Sequence, residues 1–173
     1  MLHTGDRGWL APAPHSVTAA GTLRLRAMRR HEEGAVLALL TAAGLSGTGL
    51  ARYRRTTLVL AGRDRLLGCV VVEPGAPALV RSLATVPAAG AAAATLLLDA
   101  ALTLARRLGS NAAVMLLETA AQIPVQRLEA VSWDALCDDC PGSALVRELR
   151  TFAPQALAVR LALPPAPPPP LLH

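Results

Sequence analysis

The stretch that decides the fold is Leu79–Gly109, LVRSLATVPAAGAAAATLLLDAALTLARRLG. Its first part has the apolar content of a buried strand, supplied by Val80, Leu83 and Val86. Pro87 ends this strand because proline has no N–H to donate to a sheet. Alanine and leucine then favour a long helix that closes at Gly109. A helix that starts from a turn of small residues leaves backbone N–H groups unpaired at its N-terminus. Together with the helix dipole, these groups can bind a phosphate.

The composition is typical of one globular domain with tails. The chain has 173 residues, of which 53% are apolar. All 17 basic residues are arginine, which indicates coding bias rather than a chemical requirement. The net charge of +5 is moderate, and the arginines are scattered with few aromatic residues among them. This pattern argues against a nucleic-acid partner.

Three cysteines, at positions 69, 137 and 140, do not make a disulfide framework. Their odd number and the absence of a signal peptide favour a reducing, cytoplasmic location. Cys137 and Cys140 form a C-x-x-C motif, but a metal needs about four ligands and the sequence offers no second pair. We therefore predict no metal site, and a structural or incidental role for these two cysteines.

The apolar run Ala88–Ala105 needs a separate test as a membrane span. It is close to the lower length limit of about 18 residues, and it depends on weakly apolar alanine. Asp99 lies within the run, where a charge would be costly in lipid. A core helix, and no membrane contact, is the better interpretation.

The remaining segments predict an α/β (α+β) fold with a mixed central sheet and flanking helices. We expect a disordered leader at 1–21, one domain at 22–150 and a Pro-rich tail at 151–173. Within the domain the patterns predict the following elements: a strand from Thr22, a helix from Glu32 to Gly44, a hairpin of Thr57–Ala61 and Leu66–Val72, the strand and helix of Leu79–Gly109, a strand at Ala112–Leu117, a helix at Pro124–Ala130 followed by a loop to Cys140, and a closing strand at Ala144–Leu149.

This order of elements resembles the fold of the GNAT N-acetyltransferases, the acyl-CoA N-acyltransferase fold. Leu23–Leu45 (LRLRAMRRHEEGAVLALLTAAGL) resembles the first strand and helix of GNAT domains. Arg65–Gly75 (RLLGCVVVEPG) resembles their hairpin, and Leu79–Leu102 resembles their acetyl-CoA strand and pyrophosphate helix. Within the family, Ala78–Pro87 (ALVRSLATVP) and Ala135–Leu145 (ALCDDCPGSAL) are most similar to the arsenic-resistance acetyltransferases. The resemblance covers about Leu23 to Leu149.

The resemblance implies an enzyme that transfers an acetyl group from acetyl-CoA to the amine of a small molecule or amino acid. It implies that backbone N–H groups of the Leu83–Val86 strand polarise the thioester carbonyl. The implied acetyl-CoA-binding residues are Leu83, Ala84, Thr85, Ala89, Gly90, Ala92, Ala94 and Thr95. GNAT proteins often pair through their C-terminal strands, so a homodimer is also a family expectation. The family's connection with arsenicals makes soft-ligand binding by the C-x-x-C pair a hypothesis to test.

Four side chains are candidates for further roles, each with a plainer alternative. Glu73 is the candidate general base, or else a solvated turn residue before Pro74. Arg81 is a candidate for binding an anionic substrate or the cofactor, or else a snorkelling arginine at a strand edge. Glu118 is a weaker candidate base near the substrate, or else an exposed strand end. Thr95 is a candidate for holding phosphate, or else a helix cap.

The chain departs from the family pattern in two places. Family members carry Gln or Arg, then Gly, then Gly or Ala at the pyrophosphate positions, where this chain has Ala89, Ala92 and Ala94. Only the last position fits, so the pyrophosphate loop is degraded. After Leu117 the sequence leaves no room for the usual further helix and strand, whose tyrosine protonates the departing thiolate; the chain's only tyrosine is Tyr53. These departures favour an alternative function, a catalytically decayed GNAT fold acting as a binding or interaction module.

Overall fold

The computed structural model describes residues 23–116, 129–152 and 158–163. Its strands are β1 (Arg24–Ala27), β2 (Thr57–Ala61), β3 (Leu66–Glu73), β4 (Ala78–Thr85), β5 (Ala112–Leu116), β6 (Glu129–Val131) and β7 (Ala158–Ala162). Its helices are α1 (Glu33–Ala42), α2 (Gly90–Arg107), α3 (Trp133–Asp139) and α4 (Ala144–Phe152). The predicted leader at 1–21 and the predicted helix at 124–128 lie outside the described residues.

One seven-stranded mixed sheet organises these elements, in the order β1-β2-β3-β4-β5-β7-β6. Every neighbouring pair is antiparallel except β4 and β5, which are parallel and are joined through α2. The predicted fold class, a mixed sheet with flanking helices, is therefore confirmed. The parallel pair lies in the middle of the sheet, and its two strands need a crossover connection, which α2 supplies.

The strand–turn–helix predicted from Leu79–Gly109 is present with small shifts. A single 3₁₀ turn at Pro87–Ala89 separates β4 from α2. Pro87 is pre-organised for this turn because its ring fixes φ near the helical value. The hairpin of β2 and β3 is also confirmed, with its turn closed by a 2.9 Å hydrogen bond from Gly62 N to Arg65 O.

The C-terminal third differs from the predictions. Glu129–Val131 is a strand rather than the end of a helix, and Trp133–Asp139 is a helix rather than a loop. Ala144–Phe152 is a helix, so the predicted closing strand at Ala144–Leu149 is wrong. The strand that lies beside β5 at this end of the sheet is instead β7, which is inside the tail predicted at 151–173. The chain after position 117 therefore does supply helices and strands, contrary to the expectation of no room for them.

Two serines account for the missed helices. The Ser132 hydroxyl accepts a hydrogen bond from Ala135 N at 3.2 Å, and the Ser143 hydroxyl accepts one from Val146 N at 3.3 Å. A side-chain oxygen that satisfies the first free N–H groups is a strong helix-starting signal. In α4 the consecutive residues Leu145 and Val146 are both buried, which differs from the alternation of a strand with one buried face.

The helices cover the two faces of the sheet unequally. On one face, α2 is the helix that the described residues place there; it packs against a core formed by Val70, Val72, Ala78, Val80, Ala113 and Met115 together with its own Leu97, Leu98 and Ala101. Helix α1 lies on the opposite face over Cys69 and Val71. Helices α3 and α4 lie on that same opposite face, over Leu79 and Val114. The second face therefore carries two apolar clusters side by side.

Helix α2 is also the one segment of the described chain that is long and apolar enough to cross a membrane by length and composition. In the fold, Leu97 and Ala101 are fully buried against the sheet. One face of the predicted helix is therefore packed against the sheet.

Candidate functional site

The central feature of the site is an irregularity in β4. Ser82 has a φ of 54°, in the left-handed region that L-residues rarely adopt, and the register between β3 and β4 shifts between Cys69 and Val71. The extra residue is a β-bulge, which bends the strand locally. The paired positions of β4 and β5 are Ala78, Leu79 and Val80 of β4, and they stop just before the bulge.

Beyond the bulge, the described residues therefore pair with β4 on one side only. Ala84 and Thr85 remain paired with β3, through Cys69 and Gly68, whereas no paired position with β5 lies beyond Val80. The predicted acetyl-CoA strand, Leu83–Thr85, lies in this part of β4. On the edge of this segment that faces β5, backbone N–H groups can donate hydrogen bonds to a ligand, and backbone carbonyls can accept them.

The N-terminus of α2 follows directly and is open. Its N-cap is Ala89, which has no side chain that could cap the free N–H groups. Gly90 has a φ of 71°, and a Cβ built there would meet nothing within 4 Å. Ala92 is exposed, and the first turn contains no acidic residue. This end of α2 therefore keeps the positive end of its dipole free for an anion.

Two of the predicted phosphate-loop residues have defined surroundings. Ala94 is half-buried one turn into α2. The exposed Thr95 hydroxyl donates to Ala91 O at 3.4 Å within the helix. Thr95 therefore does not cap the free N–H groups, and the alternative that assigned it as a cap is wrong.

A buried ion pair lies one residue before the bulge. Glu73, the last residue of β3, is 4% exposed and Arg81 of β4 is 2% exposed. Arg81 Nε donates to Glu73 Oε1, Arg81 Nη1 donates to Ser82 Oγ at 3.1 Å, and Arg81 Nη2 donates to Thr48 O at 2.7 Å. The alternatives of a solvated turn glutamate and a snorkelling arginine are both wrong. A buried charge pair with several hydrogen bonds is costly to keep, and such pairs are common at functional sites.

Tyr53 completes this group and was missed by the sequence analysis. Its ring lies against two guanidinium groups, at 5.4 Å from Arg52 and 5.8 Å from Arg81. Burial raises the pKa of the Tyr53 phenol, and the charge of Glu73 raises it further. The phenol is therefore held as a neutral O–H donor beside the carboxylate. No motif surrounds Tyr53 in the sequence, and only the fold brings it to β3 and β4.

A second carboxylate reaches the same region from the other side. Glu148 of α4 accepts hydrogen bonds from Ser46 Oγ at 3.0 Å and from the Thr48 hydroxyl. The loop that carries these two hydroxyls, residues 46–49, also receives a bond from Ser82 Oγ to Ser46 O at 3.2 Å. The loop thus joins α4 to the bulge. Glu118, the other predicted site residue, lies outside the described residues.

The cysteines lie in apolar surroundings. Burial raises the pKa of the Cys69 thiol to about 12, and raises that of Cys140 to about 11 with a contribution from the charge of Glu73. A thiol of this kind is a poor nucleophile at neutral pH. Cys137 and Cys140 pack against the core under α3 and α4. Within the described part of the chain, no group of three or more His, Cys, Asp or Glu side chains is arranged to hold a metal ion.

Comparisons with known proteins identify the fold. No protein-family model and no curated protein matches the sequence. Among solved structures, N-acetylglutamate synthase from Neisseria gonorrhoeae, complexed with coenzyme A and N-acetyl-glutamate, superposes with a TM-score of 0.68 at 16% identity. The match covers 84% of this chain but only 36% of that enzyme.

Two further structures match over nearly their whole length. A Mycobacterium tuberculosis protein in complex with CoA has a TM-score of 0.64 at 16% identity, covering 82% of this chain and 99% of its own. Diaminobutyrate acetyltransferase from Paenibacillus lautus, with its substrate and coenzyme A, has a TM-score of 0.54 at 10% identity, covering 83% of this chain and 96% of its own. The chain therefore has the GNAT acyltransferase fold. At these identities the similarity is one of fold.

Proposed function

We propose that this protein is an acetyl-CoA-dependent N-acetyltransferase that acts on the amine of a small molecule or amino acid. The observation that carries the proposal is the coincidence of two features at one end of β4. Among the described residues, the strand has no β5 partner after Val80, and the next helix begins with an uncapped N-terminus at Gly90. A free strand edge leading into a free helix N-terminus suits a ligand with an amide-bearing arm and phosphates.

Acetyl-CoA is the co-substrate in this proposal. The pantetheine arm lies along Leu83–Thr85, and the pyrophosphate lies at the N-terminus of α2, formed by Ala89, Gly90, Ala92, Ala94 and Thr95. The open space at Gly90 and the exposure of Ala92 support this assignment. The missing arginine and glycine of the family pattern cost affinity, because a charge-assisted hydrogen bond contributes about 1.5–3 kcal/mol. The backbone N–H groups of the loop remain available.

Glu73 is the proposed general base. The amine nitrogen attacks the thioester carbonyl carbon, the C–N bond forms as the C–S bond breaks, and the amine proton passes to the Glu73 carboxylate directly or through one water. Arg81 holds the carboxylate in place and contributes a positive charge for an anionic substrate. Backbone N–H groups of Leu83–Thr85 stabilise the developing oxyanion. Glu118 remains a proposed contributor to substrate binding.

The acceptor class is proposed from the similar structures. One was solved with N-acetyl-glutamate and another with L-2,4-diaminobutyric acid, both amino-acid ligands. An amino-acid acceptor would bring a carboxylate and an amine to a site that holds both Arg81 and Glu73. The finer assignment to the arsenic-resistance group and a homodimer are further proposals that rest on the sequence resemblance, and a cytoplasmic location is one that rests on the cysteine pattern.

The first experiment is a calorimetric titration of the full chain with acetyl-CoA, beside an Ala92→Asp variant. The variant places a negative charge on the exposed first turn of α2, so we expect micromolar binding to be lost or weakened at least tenfold. Ala38→Asp is the matched control, since Ala38 is exposed on α1 and should leave binding unchanged. Absence of heat and of thermal stabilisation at millimolar acetyl-CoA would contradict the proposal and support the alternative, a decayed GNAT fold that binds a partner.

The second experiment measures turnover. Release of free CoA thiol is followed with a panel of amino acids and small amines, for the wild type and for Glu73→Gln. A general base contributes about 10²–10⁴-fold, so we expect kcat per folded molecule, with the folded fraction measured by circular dichroism, to fall within this range while acetyl-CoA binding stays intact. A Glu73→Gln variant with wild-type kcat would remove Glu73 from the mechanism without removing acetyl-CoA from the site.

A further inference from the structure

Helix α4 contacts the 46–49 loop through one carboxylate. Glu148 is half-buried, and both its oxygens are used: Oε1 accepts from Ser46 Oγ at 3.0 Å, and Oε2 accepts from the hydroxyl of Thr48. The contact joins segments 100 or more residues apart in the chain. A carboxylate is an acceptor-only group, so it fixes the direction of both hydroxyl donors at once.

The loop has local hydrogen bonds of its own, from Thr48 N to Ser46 Oγ at 3.1 Å and from Leu50 N to Gly47 O at 3.0 Å. It contains Gly47 and Gly49, and Gly49 has a φ of 75°, which an L-residue rarely adopts. A loop of this composition samples many conformations unless side-chain bonds restrict it. Its side-chain bonds to the rest of the fold come from Glu148 on one side, and from Arg81 and the bulge residue Ser82 on the other.

A continuous chain of hydrogen bonds runs from Glu148 to the proposed base. The carbonyl of Thr48 accepts from Arg81 Nη2 at 2.7 Å, and Arg81 Nε donates to Glu73. A second branch runs from Ser46 O to Ser82 Oγ at 3.2 Å, and from there to Arg81 Nη1 at 3.1 Å. Each nitrogen of the Arg81 guanidinium therefore has its own partner. Nη2 bonds to the loop, Nη1 bonds to the bulge residue Ser82, and Nε bonds to Glu73.

We propose that Glu148 is a positioning residue for the reaction, acting through the 46–49 loop and Arg81 on the carboxylate of Glu73. The inference rests on the proposed function, since it assigns Glu148 a role in that same site. A guanidinium is a rigid planar fork, so a shift of the Thr48 carbonyl rotates the whole group. Rotation of Arg81 moves the oxygen of Glu73 that it holds. A displacement of about 1 Å at a catalytic group is enough to cost about a hundredfold in rate.

The test compares Glu148→Ala, Glu148→Gln and Thr48→Val in the full chain, with kcat and KM for acetyl-CoA and for the acceptor. We expect Glu148→Ala to lower kcat by about tenfold to a hundredfold, with the KM for acetyl-CoA unchanged within about twofold. Glu148→Gln keeps one of the two oxygen acceptors and replaces the other by an NH2 donor, so it should recover part of the lost kcat. Asp134→Asn is the control, because it removes a carboxylate of α3 that forms an exposed ion pair with Arg150.

A double variant separates positioning from general loss of structure. If Glu148 acts through the Thr48 hydroxyl, Glu148→Ala combined with Thr48→Val should lower kcat no further than the more damaging single variant. Independent, multiplying losses would overturn the proposal, as would a wild-type kcat in folded Glu148→Ala. A fall in kcat that only matches the fraction unfolded, measured by circular dichroism, would overturn it as well.

Failure of the proposed function gives a different result. In that case the wild type neither binds nor turns over acetyl-CoA. If the wild type is active and the Glu148 variants match Asp134→Asn, only the positioning role is lost.

Discussion

Glu73 and Arg81 form an ion pair diagonally across β3 and β4, because Arg81 lies opposite Val71 and Glu73 lies opposite Leu79. Residues placed in this way share one face of the sheet and are within reach of long side chains. Here the shared face is the one that α1, α3 and α4 cover, and the pair lies between their two apolar clusters. The buried ion pair therefore lies between two apolar clusters on the same face of the sheet.

Breaking this pair from one side should be strongly destabilising. Arg81→Met leaves the Glu73 carboxylate buried without its partner, so we expect the free energy of unfolding to fall by about 3–5 kcal/mol at pH 7. Denaturant unfolding measures the change. The double variant Glu73→Gln with Arg81→Met removes both charges and should recover much of the loss. A loss below about 1 kcal/mol in Arg81→Met would mean that water reaches the carboxylate.

Gly68 is expected to tolerate no side chain. A Cβ at Gly68 would lie 2.7 Å from Leu97 Cδ1 and 2.8 Å from Ala84 O, so α2 or β4 would have to move. We expect Gly68→Ala to lower the free energy of unfolding by about 1–3 kcal/mol. Gly34→Ala is the control, since a Cβ at this helical glycine of α1 meets nothing within 4 Å and should be neutral or stabilising. Equal effects of the two substitutions would contradict the close packing of α2 on β3.

The contact between Arg26 and Glu32 should make stability depend on acid pH. The Arg26 guanidinium donates to both Glu32 oxygens, at 2.7 and 2.5 Å, and holds the pKa of Glu32 at about 2. Because the folded pKa lies below the unfolded value, the stabilisation is complete above about pH 4.5 and is lost as pH falls towards 2. Glu32→Gln should therefore cost about 1–3 kcal/mol at pH 7, and its difference from wild type should shrink to zero towards pH 2.

Chemical unfolding at pH 7, 5, 4 and 3 tests this dependence. Glu33→Gln is the control, because it removes the neighbouring charge but none of these hydrogen bonds. A Glu32→Gln deficit that stays constant over the whole range would show that packing, and not the ion pair, causes it.

Cys69 should be protected from alkylation in the folded protein. It is fully buried in β3, and burial raises the pKa of its thiol to about 12, so almost no thiolate is present at pH 8. Treatment with iodoacetamide followed by peptide mass spectrometry should find Cys69 unmodified until denaturant is added. Cys137, which is half-buried near the surface of α3, serves as the internal comparison. Modification of native Cys69 at the rate of Cys137 would contradict the packing of α1 over β3.

Segments with local signals could be predicted from the sequence. Pro87 marks the end of β4, the run of Ala and Leu marks α2, and the turn at Gly62–Arg65 marks the hairpin. Each of these signals acts within a few residues, so the three-dimensional context does not change its meaning. The predicted open start of the helix follows from the same stretch.

The C-terminal third and the polar network could not be predicted in this way. Ala158–Ala162 alternates as a strand, but the surrounding proline-rich composition concealed it. The ion pair of Glu73 and Arg81 depends on a register set jointly by the hairpin and the bulge. The contact of Glu148 with Thr48 joins residues a hundred positions apart. Contacts of this kind arise from topology, and no local pattern encodes them.

The place of β7 between β5 and β6 has a consequence for synthesis of the chain. Strands β1 to β5 are all made once Leu116 has left the ribosome, so this part of the sheet can assemble early. Strand β6 is made before β7, yet its described neighbour in the sheet is β7. Strand β6 can therefore pair with β7 only after β7 has been synthesised. Helices α3 and α4 lie between the two strands in the sequence. A stop codon just before Ala158 would consequently remove β7 from the protein. It would also leave β6 without its described partner strand.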